Sequence, residues 1–258
     1  ASCQLFELAE RVAKADVSVF INGPTGSGKE VLSNFIHNNS NRDGRQFVAI
    51  NCAAIPENML EAMLFGHEKG SFTGASTANV GIIRAADGGT LLLDEVSEMS
   101  LSLQAKLLRA LQEKTVTPVG GTKPISVDVR VLSTSNRNMA AECQSGRFRE
   151  DLFYRLNVFP LTTLALSERM QDILPIAIEL LLRHYKDLET LPMLADCAIK
   201  KLQSHSWPGN VRELDNVLQR ATVMCTELEI TGADILFDRN TIAPAQPKLD
   251  LATETGHV

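Results

Sequence analysis

Gly23-Pro24-Thr25-Gly26-Ser27-Gly28-Lys29 is the stretch on which the reading of this chain turns. An apolar, β-branched run, Val17 to Ile21, leads into it, and a segment of helical period, Lys29 to Asn38, leads out. In that context the glycines let backbone N–H groups turn inward around a phosphate. The helix N-terminus adds positive potential, and Lys29 reaches the β and γ oxygens. A glycine-rich turn that only joins strand to helix needs no lysine at its end. Gly23, Pro24, Thr25, Gly26, Ser27, Gly28, Lys29 and Glu30 are therefore the candidate nucleotide-binding set. One position is irregular, because Glu30 stands where the general motif has Ser or Thr to hold Mg²⁺. Another group must carry the metal.

Further along, Leu91-Leu92-Leu93-Asp94-Glu95 reads as a buried strand ending in two carboxylates. Period-2 alternation sends the two acids to opposite sides, so Asp94 can hold the metal while Glu95 reaches the attacking water. The plain alternative is a pair of acids that merely precedes a helix. A general base here favours hydrolysis over transfer to a second substrate. Val131-Leu132-Ser133-Thr134-Ser135-Asn136 ends another strand, with Asn136 placed to sense a γ-phosphate at the carboxyl edge of a parallel sheet. Asn51, just past Phe47 to Ile50, is expected to hydrogen-bond Glu95 and hold it away from the water. Either asparagine is also a plausible turn former.

Short β-branched runs at Val17–Ile21, Phe47–Ile50, Thr90–Leu93, Val127–Leu132 and Val158–Phe159 alternate with helical segments at Lys29–Asn38, Glu57–Leu64 and Leu101–Glu113. That order predicts an α/β fold, a parallel sheet sandwiched by helices. After Leu161 the strand signals stop. Met170–Tyr185, Ala195–Ser204 and Val211–Met224 have helical period, with Asn210 as an N-cap candidate, and predict a small all-helical lid. We divide the chain into an α/β nucleotide-binding part over 1–165, a helical part over 166–238, and a linker-like tail over 239–258.

Composition closes off other classes. In 258 residues, 25 Lys+Arg against 31 Asp+Glu leave a net charge of −6, which disfavours direct DNA binding by this segment. No apolar run approaches the ~18 residues needed to span a bilayer. The start, Ala1-Ser2-Cys3-Gln4, has no basic region followed by an apolar stretch, so a cytoplasmic protein with no membrane partner is expected. Five scattered cysteines without a CxxC pair read as reduced and structural.

With these motifs in place, the chain resembles the AAA+ P-loop NTPase domain of bacterial enhancer-binding proteins, the activators of sigma-54 RNA polymerase, over about residues 1–238. The most specific element is Gly70-Ser71-Phe72-Thr73-Gly74-Ala75, which is similar to that family's GAFTGA loop. Phe65-Gly66-His67-Glu68-Lys69, Gly88-Gly89-Thr90, Leu103 to Arg109 and Phe148-Arg149-Glu150-Asp151-Leu152 look like its other blocks. The resemblance implies ATP and Mg²⁺ as cofactors, with Lys29, Asp94 and Glu95 as the Walker A and B residues, and it accepts a glutamate at position 30. It further implies Asn51 as the switch on Glu95 and Asn136 as part of the first sensor. Arg149 and Arg155 become arginines offered to a neighbouring subunit, and Arg212 the second sensor. From spacing alone each arginine is more readily a surface ion pair.

The implied partners are the sigma-54 RNA polymerase holoenzyme, engaged through Gly70 to Ala75, and further copies of the chain in a ring of six or seven. DNA contact is left to a helix-turn-helix domain absent from these residues. Departures are Met63 where many relatives carry glutamate, Ser71 in place of alanine, and Leu164-Ala165-Leu166-Ser167 without the usual prolines and arginine. A different AAA+ remodelling ATPase, or a ring-forming scaffold that binds nucleotide without turnover, are the alternatives.

Overall fold

The computed structural model describes residues 2–71, 76–184, 192–225 and 228–237. Two compact units divide the chain between Asp172 and Ile173, a little beyond the composition change at Leu161–Ala165. The connecting residues belong to the first unit for a physical reason. Ser2 Oγ donates to Asp172 at 2.5 Å, and Arg169 donates to the Ser27 carbonyl at 2.6 Å.

The described residues of the first unit include seven strands. Five of them, β1 (Val19–Asn22), β2 (Phe47–Asn51), β3 (Thr90–Asp94), β6 (Arg130–Ser135) and β7 (Phe159–Thr162), form a parallel sheet in the order β2-β3-β6-β1-β7. The short β4 (Thr115–Val116) and β5 (Ile125–Ser126) pair antiparallel beside it. The expected strand Val127–Leu132 thus begins later and runs further. Asp128 explains the late start, since its N–H bonds the Asp87 carboxylate and its carbonyl accepts from Gly88. Those bonds hold the preceding residues out of the ladder.

Period-2 alternation sorts the strand side chains into two buried layers. Phe20, Ile50, Leu91, Leu93 and Val131 face a core completed by α3 (Glu57–Phe65), α5 (Leu101–Glu113) and α7 (Glu150–Leu156). Val19, Ile21, Leu92, Leu132 and Leu161 face the opposite way, toward α1 (Ser2–Ala13) and α2 (Lys29–Asn38). Two short helices, α4 (Ile82–Ala85) and α6 (Met139–Gln144), complete the unit. Helices α2 and α5 match the expected spans, and the sheet is sandwiched as the βα pattern predicts.

Helix α1 was not anticipated. It packs on α2, where Phe6 meets Phe35 edge-on at 4.8 Å between centroids. Its C-terminus is capped from the sheet by Arg130, 4% exposed, whose guanidinium donates to the carbonyls of Ala13 (2.7 Å), Val12 (2.9 Å) and Val17 (3.3 Å). A cation facing helix-end carbonyls is favourable on both hydrogen-bond and dipole grounds. Burial pulls this guanidinium below its usual pKa, and nearby Asp16 opposes that shift.

In the second unit, α8 (Ile173–His184), α9 (Asp196–Ser204) and α10 (Asn210–Met224) surround Leu181, Leu202, Trp207, Leu214 and Leu218. A two-residue parallel pair, β8 (Met193–Leu194) with β9 (Glu229–Ile230), is added to the helices. Met170–Asp172 forms a 3₁₀ turn ahead of α8, and Tyr185 lies outside the described residues, as does the tail 239–258. Asn210 is not the cap. Gly209 occupies that position, and its N–H bonds the Glu213 carboxylate at 2.8 Å, while Asn210 is buried with φ 55°.

Arg130→Met should remove three hydrogen bonds to otherwise buried carbonyls. We expect a loss of about 3 kcal/mol in unfolding free energy, read as a lower urea midpoint at unchanged slope, with α1 becoming the first segment to exchange its amides.

Candidate nucleotide site

Parallel register brings the carboxyl ends of the strands to one level. Asn51 pairs with Asp94, Leu93 with Ser133, and Asn22 with both Ser135 and Thr162. Asn22, Asn51, Asp94, Ser135 and Thr162 therefore lie on the edge where open α/β sheets bind ligands.

The turn from β1 into α2 fits a phosphate. Gly26 (φ 75°) and Gly28 (φ 100°) adopt the left-handed conformations that aim successive N–H groups to one side. Nothing lies within 4 Å of where a Cβ on Gly28 would stand, so the cradle is open there. Gly23 is required for closeness instead, since its Cβ would fall 2.0 Å from Thr163 Oγ1. Thr163 also shares a 2.7 Å hydrogen bond with Ser27 Oγ, which fastens the loop to the end of β7.

Lys29 is 6% exposed, and its ammonium sits among three oxygens. It donates to the Gly23 carbonyl at 3.0 Å and the Pro24 carbonyl at 3.4 Å, and lies 3.3 Å from Glu95 Oε1. The other carboxylate oxygen of Glu95 accepts from the Asn136 N–H at 3.1 Å. Alternation along β3 does not place this acid. The strand ends at Asp94, and Glu95 adopts φ 52°, ψ 50°, so a left-handed turn swings its carboxylate toward Lys29. Such a conformation costs a non-glycine residue about 1–2 kcal/mol and concentrates at functional sites.

Asp94 is held differently. Thr134 Oγ1 donates to one oxygen at 2.6 Å and Asn51 Nδ2 to the other at 2.8 Å. The expected bond from Asn51 to Glu95 is thus made to Asp94 instead, because β2 and β3 are in register at these two residues. Asn51 Oδ1 in turn accepts from the Ala53 and Ala54 N–H groups, an Asx turn that fixes its orientation. Asn136 reaches the loop itself, donating to Thr25 Oγ1 at 2.9 Å. Cys52 lies between these elements, and burial, followed by the charges of Asp94 and Glu95, pushes its thiol up to about 12.

Among the described residues no group of three or more His, Cys, Asp or Glu side chains could hold a metal alone. One carboxylate with free lone pairs suits Mg²⁺, which is commonly shared between a single acid and substrate phosphates. Asp94 and the open cradle supply that arrangement.

The remaining sequence-predicted residues are spread more widely. Arg149 precedes α7 as its cap residue and pairs with Asp151 at 2.7 Å, its side chain 42% exposed. Arg155 is exposed and donates to the Leu111 carbonyl at the end of α5. Arg212 is exposed in the first turn of α10, in the second unit. Gly70 and Ser71 are described, and Phe72, Thr73, Gly74 and Ala75 lie outside the described residues. Sequence reasoning passed over Thr134 and Thr163. The signal for Thr134 was available in Ser133-Thr134-Ser135, a polar run in a strand whose three residues are all fully buried.

The residues over 1–162 match the family described as the Sigma-54 interaction domain, and 167–250 match the AAA+ ATPase lid domain. The chain belongs to the sigma-54 interaction family. It is 59% identical over 240 residues to the response regulator protein FleR of Pseudomonas aeruginosa, covering 91% of this chain and 50% of FleR. To the transcriptional regulatory protein FlbD of Caulobacter vibrioides it is 48% identical, covering 94% and 54%. NtrX from Brucella abortus, solved in complex with ADP, superposes with a TM-score of 0.83 at 35% identity, covering 91% of this chain and 52% of that one. This sigma-54 interaction domain thus spans about half the length of the relatives it matches. No helix among its described residues is long and apolar enough to cross a membrane.

Two substitutions separate the roles the geometry suggests. Lys29→Ala should abolish tight ATP binding, measured with a fluorescent nucleotide. Glu95→Gln should bind ATP within a few-fold of the parent yet hydrolyse it about 10²–10⁴-fold more slowly. Equal loss of affinity in both variants would contradict the assignment.

Proposed function

We propose that this domain binds ATP with Mg²⁺, hydrolyses it, and uses the cycle to remodel sigma-54 RNA polymerase holoenzyme at a promoter. The observation that carries the reading is the Lys29 ammonium, shared between the loop carbonyls and the Glu95 carboxylate. Phosphate oxygens brought to the cradle compete for the same cation. Glu95 is then left with the Asn136 N–H as its partner, able to accept the proton of an attacking water.

Asp94 would hold the Mg²⁺, which supplies neutralisation of phosphate charge. Asn51 and Thr134 keep that carboxylate oriented, and Asn136, bonded to both Glu95 and Thr25, is suited to register the terminal phosphate. Arg212, in Gly209-Asn210-Val211-Arg212-Glu213-Leu214, is proposed as the second sensor on the resemblance of that stretch to the family's motif.

Arg149 and Arg155 are proposed to complete the site of an adjacent copy in a homo-oligomeric ring. The Arg149–Asp151 pair does not oppose this, since an exposed pair contributes only about 0–1 kcal/mol and exchanges readily. Specific ATPase activity should rise with protein concentration, and Arg149→Ala should reduce it by about 10³–10⁵-fold. Activity that stays flat on dilution to a monomer, checked by light scattering, would contradict the trans assignment.

The segment Gly70 to Ala75 is proposed as the contact with sigma-54, in a protein that answers to a signalling input as the response regulator FleR does by its name. No DNA contact is assigned to these residues. Phe72→Ala and Thr73→Ala should keep the melting temperature and most ATPase activity. They should lose about 2 kcal/mol or more of sigma-54 binding, about 30-fold in Kd, and with it promoter opening. Normal activation by Phe72→Ala would refute the loop's role, and turnover without any polymerase response would favour another AAA+ remodelling function.

A further inference from the structure

Gln104 lies on the inner face of α5 and is fully buried, yet its carboxamide serves backbone groups of two separate segments. Nε2 donates to the Met99 carbonyl at 2.8 Å and the Arg147 carbonyl at 3.1 Å, and Oε1 accepts from the Arg149 N–H at 2.8 Å. Two acceptors on one side and a donor on the other fix the amide in a single orientation.

Each end of this clamp leads to a residue of the proposed reaction. Met99 closes the 3₁₀ turn Val96–Glu98 that starts at Glu95. In that turn the Glu98 N–H bonds the Glu95 carbonyl at 3.0 Å, and the Met99 N–H bonds the Val96 carbonyl at 3.2 Å. Arg149 is the cap residue of α7, so its N–H has no helical acceptor and depends on Gln104. The preceding residue, Phe148, is 2% exposed and belongs to the core, so this end of the clamp is set in the protein interior. A parallel route through Arg137 links Glu98 to Glu142, and Glu142 to Arg147. Its two arginine side chains are 40% and 59% exposed, so solvent screens it.

We propose that Gln104 is a positioning residue that fixes Arg149 relative to Glu95. The arginine presented to a neighbouring subunit is thereby set by the segment leaving the subunit's own catalytic carboxylate. The inference rests on the reading of Arg149 as acting in trans. Buried polar groups so fully satisfied specify a unique geometry, and removing their partners shifts the backbone they hold.

The test uses Gln104→Met, which keeps length and loses all three bonds, and Gln104→Glu, which keeps shape and replaces the donor end with an acceptor. Both should bind ATP within about two-fold of the parent and still assemble, with ATPase activity lowered at least ten-fold. The location of the defect is then read in mixed rings. Mixing either variant with Glu95→Gln should restore activity, because an intact Lys29–Glu95 site meets an intact arginine. Mixing it with Arg149→Ala should restore none, because both chains are damaged on the arginine side. A purely structural role would not produce this asymmetry. Parent-like activity in Gln104→Met, a loss of ATP binding, or failure of Glu95→Gln to complement would overturn the proposal. The control mixture of Arg149→Ala with Glu95→Gln separates the two ideas. Its failure to restore activity overturns the trans reading itself, whereas its success beside a failed Gln104 mixture overturns only the role of Gln104.

Discussion

A lysine ammonium that is 6% exposed must find oxygens inside the protein, and much of the first unit is arranged around the oxygens that Lys29 finds. Two come from the loop that precedes its own helix and one from Glu95, two strands away in the sheet. The charge could not be buried without them, since an unpaired cation in a low-dielectric site costs several kcal/mol. The left-handed turn at Glu95 and the close approach of Gly23 to Thr163 both follow from bringing these groups to one point. Parallel register makes that convergence possible, because it is the carboxyl ends of β1, β3 and β6 that coincide.

The alternation of strand and helix signals was legible because the central strands β1, β3 and β6 are buried on both faces and the longer helices carry a clear apolar stripe. Helix α1 carries such a stripe too, in Leu5, Phe6, Ala9, Val12 and Ala13, and the reading of the sequence passed over it. What no local pattern announces is its cap, the guanidinium of Arg130, more than a hundred residues away. The turn at Gly209–Asn210 was misread in detail, since the bonding carboxylate comes from Glu213 inside the helix.

At the candidate site, the residues that converge were readable and their pairings were not. Gly23 to Lys29 and the Asp94-Glu95 pair declare themselves by residue type and spacing, which encode the chemistry. Which oxygen each amide meets depends on interstrand register and on one left-handed residue. Asn51 consequently holds Asp94, and Lys29, with the Asn136 N–H, holds Glu95. The polar run Ser133 to Ser135 was read only for its last neighbour, Asn136, although Thr134 binds Asp94 and the Glu95 N–H at once.

The thiol of Cys52 has a chemical consequence of its own. With its pKa pushed up to about 12 by burial and two carboxylates, the fraction present as thiolate at neutral pH is about one part in 10⁵. The thiolate is the form that reacts with disulfides, alkylating agents and peroxides, so the buried Cys52, whose N–H bonds the Asp94 carbonyl, is a poor target for them. Cys3 and Cys197, both exposed, are the thiols that labelling or oxidation would reach first. Thiol chemistry is thereby directed away from the residue that follows Asn51 and toward the protein surface.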